Sequence, residues 1–171
     1  SVCIVWSGIC VYNIKYNIMM NFLSQLLTME YTDTVREQEG GTYGVGVSGS
    51  VSKYPTQQAT MEISFDTDPD RRARMVELID KGMNDFIANG PNAENLKKVK
   101  EYMMKNFEAN QKENGFWMSA LYAYYWEGVD NATGLDKIIS SITAADLKKF
   151  AKKFFAQKNR IEVSMTSGNI D

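Results

Sequence analysis

The apolar residues of this chain change their period at the glycine pair Gly40-Gly41. Before the pair they recur every three or four positions from residue 14 to about residue 31, which predicts a helix with a wide buried face. After the pair they alternate with small polar residues, as in a strand; these apolar residues are Tyr43, Val45, Val47 and Val51. The chain must therefore end a helix and reverse into a strand at the two glycines, which adopt left-handed backbone conformations at little cost.

The remaining patterns extend this order of elements along the whole chain. Residues 2–6 form an apolar run typical of a buried strand, and residues 59–65 alternate like the second arm of a hairpin. Helical patterns follow from Asp68, expected as an N-cap before Pro69. Asn92 is expected to cap the next helix and Thr143, with Asp146, to begin the last one with a capping box, and residues 160–166 return to alternation. The sequence predicts an α+β fold, with helices packed on one face of a mostly antiparallel sheet. The two terminal strands should lie near each other, because each needs a partner for its backbone groups.

Composition limits both the size of the fold and its partners. A chain of 171 residues with 44% hydrophobic and 23% charged content fits one globular domain, residues 1–171. Ser1 opens directly into a strand-like run, so we expect a piece of a longer polypeptide. A net charge of −2 and the lack of a basic stripe argue against a nucleic-acid partner. No apolar run approaches the roughly 18 residues that a membrane segment needs.

The residue types that are missing exclude several kinds of catalytic site. The sequence contains no histidine, which removes Ser/His and Cys/His nucleophile systems and every His-based zinc site. Cys3 and Cys10 are too few for a disulfide framework and are expected to be free buried thiols. The glycines from Gly40 to Gly46 precede a strand, so they offer phosphate no helix N-terminus. A metallohydrolase that works alone is excluded.

Arg36 and Tyr43 are the candidate functional residues at the junction. Arg36 belongs to the final helical turn and Tyr43 to the first strand residues, so both side chains can point into one space across the Gly40-Gly41 turn. Arginine provides a planar fork of donors and tyrosine a hydroxyl, which suit peptide carbonyls or a developing oxyanion. The residues alone leave an alternative open. Arg36 could complement the helix C-terminus, and Tyr43 could be a core residue on the face of Val45 and Val47.

A second segment, FWMSALYAYYW at residues 116–126, is aromatic and apolar almost all round. Such a helix is either buried on most sides or faces a partner.

The sequence also resembles a known family. The pattern Arg36-Glu-x-x-Gly-Gly-x-Tyr43-x-Val45, after a leucine-rich helix and before a hairpin, is similar to the C-terminal half of pitrilysin-type, or insulinase-family, zinc metallopeptidases. Gly90-Pro91 ahead of a lysine-rich helix, and the segment TAADL at residues 143–147 ahead of the last helix and strand, are similar to that family too. The likeness covers nearly the whole chain.

This resemblance implies a division of labour between two halves that close like a clamshell around a peptide. The N-terminal half, on the same polypeptide or on a separate subunit, would carry H-x-x-E-H and a downstream Glu, which bind zinc and activate water. This chain, as a C-terminal domain, would hold no zinc and would be inactive alone. Arg36 would anchor substrate carbonyls and Tyr43 would hydrogen-bond the scissile carbonyl, with Gly40 and Gly41 forming the substrate-binding turn. The resemblance also allows a non-catalytic structural or interaction subunit of the same family.

Overall fold

The protein forms an α+β fold, as predicted, with a four-stranded antiparallel sheet. The computed structural model describes residues 1–38, 40 and 42–166, and for residues 36–38 it describes the backbone alone. The strands are β1 (Val2–Ile9), β2 (Val45–Ser52), β3 (Gln58–Phe65) and β4 (Asn159–Ser164), in the spatial order β2-β3-β1-β4. The predicted neighbourhood of the terminal strands is confirmed, because β1 pairs with β4 through Val5 opposite Ile161.

Six α-helices occur in the described part of the chain, and two of them continue as wider π-helical turns. Their bounds are α1 (Ile14–Tyr31) with its extension Thr32–Gln38, α2 (Arg72–Asn89) after a short 3₁₀ turn at Pro69–Arg71, α3 (Ala93–Asn110), α4 (Asn114–Tyr122) with its extension Ala123–Glu127, α5 (Leu135–Ser141) and α6 (Ala144–Phe155). The extension of α1 ends two residues before Gly40, close to the predicted end of the first helix.

The helices cover one face of the sheet. Alternate residues of β1 and β3 are buried there and join a single core cluster with the helices. Helix α1 lies close to β2 because Gly49 leaves room for it, since a Cβ at Gly49 would come within 2.8 Å of the Met20 sulfur. A glycine, Gly82, likewise allows helix α2 to approach the end of α1 closely. A Cβ at Gly82 would lie 2.7 Å from the ring of Tyr31, which is fully buried and donates from its hydroxyl to the Ile79 carbonyl at 3.0 Å.

The edge strand β4 turns charged side chains, not apolar ones, toward the helices. Arg160 contacts the Glu162 carboxylate at 3.1 Å and the Asp80 carboxylate of α2 at 3.4 Å, and it lies over the ring of Trp6. The apolar face of the strand, at Ile161 and Val163, is exposed on the other side of the sheet. Burial raises the pKa of Asp80, and the nearby Arg160 guanidinium opposes this shift.

Two of the three N-caps predicted from the sequence form capping hydrogen bonds. Asn92 accepts hydrogen bonds from the backbone N–H groups of the first turn of α3, and Thr143 forms a complete capping box with Asp146. The N-cap predicted at Asp68 is wrong in one respect, because its side chain makes no capping hydrogen bond. The first turn is a tight 3₁₀ turn in which the Arg71 N–H donates to the Asp68 carbonyl at 3.0 Å, so this N–H is already paired with backbone.

Both cysteines are free, as expected, but each is only partly buried. Burial raises the pKa of both thiols, so neither has the character of an activated thiolate.

The segment at residues 116–126 belongs to α4 and its extension, and most of its large side chains are exposed. Of the two expectations for this helix, burial on most sides is therefore wrong. Only Ala120 and Ala123 are buried within it, because α4 packs through its small residues and leaves the larger ones outside.

Candidate functional site

Tyr43 lies in a bend just before β2 and projects into solvent. Its side chain is 99% exposed, whereas Val45, the first residue of β2, is 6% exposed and belongs to the core. The alternative that placed Tyr43 in the core beside Val45 is therefore wrong. Pairing of β2 with β3 begins at Val45 opposite Phe65, so the alternation of the pleated strand does not extend back to Tyr43.

The structure describes one of the two glycines of the predicted turn. Gly40 has φ +59°, the left-handed conformation expected after the end of a helix. Gly41 lies outside the described residues. The backbone of Arg36 belongs to the π-helical extension of α1, one turn before Gly40, and its side chain is likewise outside the described part. That the side chains of Arg36 and Tyr43 point into one space therefore stays a prediction.

Hydrogen bonds fix the described ends of this turn. Arg71 donates from Nη1 to the Gly40 carbonyl at 3.0 Å, which ties the turn to the 3₁₀ segment ahead of α2. The Thr42 hydroxyl donates to the Gly44 carbonyl at 3.0 Å and accepts from the Gly44 N–H at 3.3 Å. The exposed side chain of Tyr43 is thus carried on a backbone that is held on both sides.

Sequence reasoning missed Arg71. No local motif marks it, but the hairpin contains an indirect indication. Because β2 and β3 are antiparallel, the residues that precede β2 must lie beside those that follow β3, which places positions 42–44 next to positions 66–71.

An open cavity of about 520 Å³ lies at this meeting point. Its walls come from the turn before β2 and from the segment after β3, and they are formed by Gly40, Thr42, Tyr43, Asp66, Thr67, Asp68 and Arg71. Two carboxylates and one guanidinium therefore surround a space open to solvent. The carboxylate of Asp66 also accepts a hydrogen bond from the Ser1 hydroxyl at 2.6 Å. The site offers hydrogen-bonding groups of both signs beside Tyr43.

The residues present do not fit a zinc ion. The sequence contains no histidine, and the described residues hold no group of three or more His, Cys, Asp or Glu side chains that could bind a metal ion. Among the same described residues, no helix has enough length and apolar character to cross a bilayer.

Comparison with known proteins identifies the family. Residues 1–103 match the family described as the peptidase M16 inactive domain. The chain belongs to this family. The predicted resemblance to the zinc-free side of a zinc-peptidase family is thereby confirmed. A search of curated proteins gave no match to this M16 inactive domain.

Solved structures share the fold of the M16 inactive domain at low sequence identity. The periplasmic protease PqqL from Escherichia coli matches with a TM-score of 0.78 and 14% identity, over 91% of this chain and 18% of that chain. The ferredoxin protease FusC, solved with Arabidopsis ferredoxin, matches with a TM-score of 0.78 and 13% identity, over 94% and 18%. An inactive peptidase domain of a protein assigned as a zinc protease from Bordetella parapertussis matches with a TM-score of 0.71 and 12% identity, over 99% and 92%.

These proportions place the M16 inactive domain within larger relatives. The chain spans about a fifth of the length of PqqL and of FusC, and nearly the whole of the Bordetella domain.

Proposed function

We propose that this chain is the substrate-binding, zinc-free domain of a zinc metalloendopeptidase, located in the C-terminal part of a longer polypeptide. It would close with a zinc-binding N-terminal half around a peptide. The observation that carries the proposal is the position of Tyr43. In a domain of the M16 inactive family, this side chain is almost fully exposed on a held turn beside an open cavity.

In this proposal the two candidate side chains bind the peptide backbone. The Tyr43 hydroxyl donates a hydrogen bond to the scissile carbonyl oxygen and holds it more tightly as that oxygen gains negative charge. Arg36 donates from its guanidinium fork to peptide carbonyls, with Gly40 and Gly41 allowing the chain to reverse between the two. Zinc and the attacking water belong to the other half, so this domain is inactive alone.

The surroundings of Tyr43 suit this role. A hydrogen-bond donor that stabilises charge has to be held before the reaction, so that no reorganisation is needed when the charge develops. The bond from Arg71 to the Gly40 carbonyl and the Thr42–Gly44 bonds restrict the backbone that carries Tyr43. The cavity beside Tyr43 leaves space for neighbouring parts of a peptide.

The test is Tyr43→Phe in the full-length enzyme, with turnover of a peptide substrate and zinc content measured together. Loss of one oxyanion donor typically lowers kcat by about 10²–10³-fold, so a fall of that size with unchanged zinc is expected. Tyr102→Phe is the matched control, because Tyr102 is another exposed tyrosine, on α3. Wild-type turnover in Tyr43→Phe would remove the assigned role.

A second experiment addresses the metal. The isolated chain, dialysed against zinc at neutral pH, should retain no stoichiometric tightly bound zinc, because it has no histidine. One tightly bound ion per chain would contradict the assignment of zinc to the other half.

The second candidate is a non-catalytic structural or interaction subunit of the same family. The observation that favours it is the exposure of large apolar side chains on α4 and its extension. The two candidates differ in the partner half. An intact H-x-x-E-H in that half supports the peptidase, and a degraded motif supports the subunit without catalytic activity.

A further inference from the structure

Six large apolar side chains on the surface of α4 and its π-helical extension are each more than half exposed. Their exposed fractions range from 51% to 82%, and the residues are Met118, Leu121, Tyr122, Tyr124, Tyr125 and Trp126. We call this surface the aromatic face. Such a concentration of exposed aromatic residues within nine positions is unusual for a soluble surface.

The area of the aromatic face matches one side of a stable protein interface. Large aromatic side chains present about 150–250 Å² each, so at these exposed fractions the six residues offer on the order of 800 Å². This value exceeds the roughly 300–600 Å² of the largest apolar patch on a typical monomer. It equals the roughly 800 Å² per partner of a standard interface.

The composition of the segment also resembles the core of an interface. Residues 116–126 contain no charged side chain, and charges return directly at both ends, at Lys112 and Glu113 on one side and at Glu127 and Asp130 on the other. Interface cores are depleted in charge and enriched in Tyr, Trp and Met, and their rims are polar.

Ring contacts and one hydrogen bond restrict α4 and its extension. Tyr122 and Trp126 stack with ring centroids 6.1 Å apart, and Phe116 packs edge-on against the buried Phe107 of α3. Lys53, in the turn after β2, donates from Nζ to the Glu127 carbonyl at the end of the extension. A surface held in this way loses little conformational entropy on binding, which favours a tight interface.

We infer that the aromatic face packs against a second folded domain of the larger protein to which this chain belongs. The similar proteins PqqL and FusC are more than five times as long as the matched region, so further domains are present in such chains. A helical ridge fits a groove on a folded neighbour. The cavity beside Tyr43 is lined by other residues, so the aromatic face and the candidate peptide site are separate surfaces. The neighbour should present an apolar groove with acceptors for the tyrosine hydroxyls.

This inference rests only on the part of the proposed function that places the domain beside another one. It does not depend on Arg36 or Tyr43, so turnover of Tyr43→Phe and the experiment below can fail independently.

Hydroxyl-radical footprinting with mass spectrometry tests the inference residue by residue. The isolated 171-residue chain and the full-length protein are oxidised under the same conditions. Oxidation of Met118, Tyr125 and Trp126 should fall roughly fivefold or more in the full-length protein, because residues in an interface core lose nearly all their exposure. Tyr102, exposed on α3, should react equally in both samples, and the buried Trp6 should stay protected in both.

A variant then tests whether the face itself makes the contact. Tyr125→Ser with Trp126→Ser changes two exposed side chains, and Tyr102→Ser is the matched control. The double variant should restore oxidation of Met118 in the full-length protein, while the isolated chain keeps its unfolding midpoint. The control should leave Met118 protected.

Three results would overturn the inference. Equal oxidation of the face in the isolated chain and in the full-length protein would show that no domain covers it. Protection that appears in the isolated chain as its concentration rises would assign the face to a second copy. Protection that appears only after peptide is added would assign the face to substrate.

Discussion

Gly82→Ala should destabilise the protein, although the same change in most helices is stabilising. Gly82 lies within α2, where alanine is favoured over glycine by about 1 kcal/mol. A Cβ at this position would lie 2.7 Å from the ring of Tyr31, far inside ordinary contact. The ring cannot move away easily, because Tyr31 is fully buried and bonded through its hydroxyl to the Ile79 carbonyl.

The size of the effect follows from these two opposing contributions. Adding a methyl group to a tightly packed core typically costs about 1–3 kcal/mol, and the fixed ring places Gly82→Ala toward the upper end of that range. Subtracting the gain in helix propensity leaves a loss of about 1–2 kcal/mol in the free energy of unfolding. For a domain of this length that corresponds to a fall of about 3–6 °C in Tm.

Gly115→Ala provides the matched control. Gly115 is also helical, in α4, and a Cβ there meets no atom within 4 Å. This change should raise the free energy of unfolding by up to about 1 kcal/mol. Urea unfolding of both variants, with the slope m compared to the wild type, separates a change in stability from a change in the unfolded state.

The packing argument would be refuted if Gly82→Ala matched or exceeded the wild-type midpoint at unchanged m. Combining Gly82→Ala with Tyr31→Leu provides a second test. In a Tyr31→Leu background the clash with the ring is removed, so Gly82→Ala should change from destabilising to neutral or stabilising. The same loss in both backgrounds would mean that Tyr31 is not the cause.

Three further changes test other features. Thr143→Ala removes the N-cap of α6 and should cost about 1 kcal/mol in urea unfolding, whereas Ser140→Ala, in α5, should cost less. Asp80→Asn should raise the free energy of unfolding at neutral pH, because burial raises the pKa of the Asp80 carboxyl and so disfavours its charged form. The gain over the wild type should shrink as pH falls through that raised pKa, where the wild-type carboxyl becomes neutral. A gain that stays constant from pH 7 to pH 3 would contradict this prediction. Arg71→Met should speed amide hydrogen exchange at Thr42 and Gly44 and leave β1 unaffected; unchanged exchange would show that the bond to Gly40 does not hold the turn.

Local patterns in the sequence were enough to predict most elements and their order. The change of period at Gly40-Gly41 placed the end of the α1 extension and the start of β2 within a few residues, because helices and strands bury different sets of positions. The capping residues Asn92 and Thr143 marked the starts of α3 and α6, since a cap needs only its own first turn. The sequence also singled out Tyr43 from its place beside the glycine turn, and the functional role of Tyr43 stays a prediction.

The sequence by itself determined most of the helices and strands, and it excluded a His-based zinc site because it contains no histidine. Tertiary structure decided which faces are covered. It left Tyr43 exposed, turned Arg160 and Glu162 of β4 toward the helices, and left the aromatic face of α4 open. It also brought Arg71 to the Gly40 carbonyl across the hairpin. The physical reason is that the spacing of apolar residues indicates which residues share a face of a helix or strand, whereas the burial of that face depends on contacts between segments far apart in the chain.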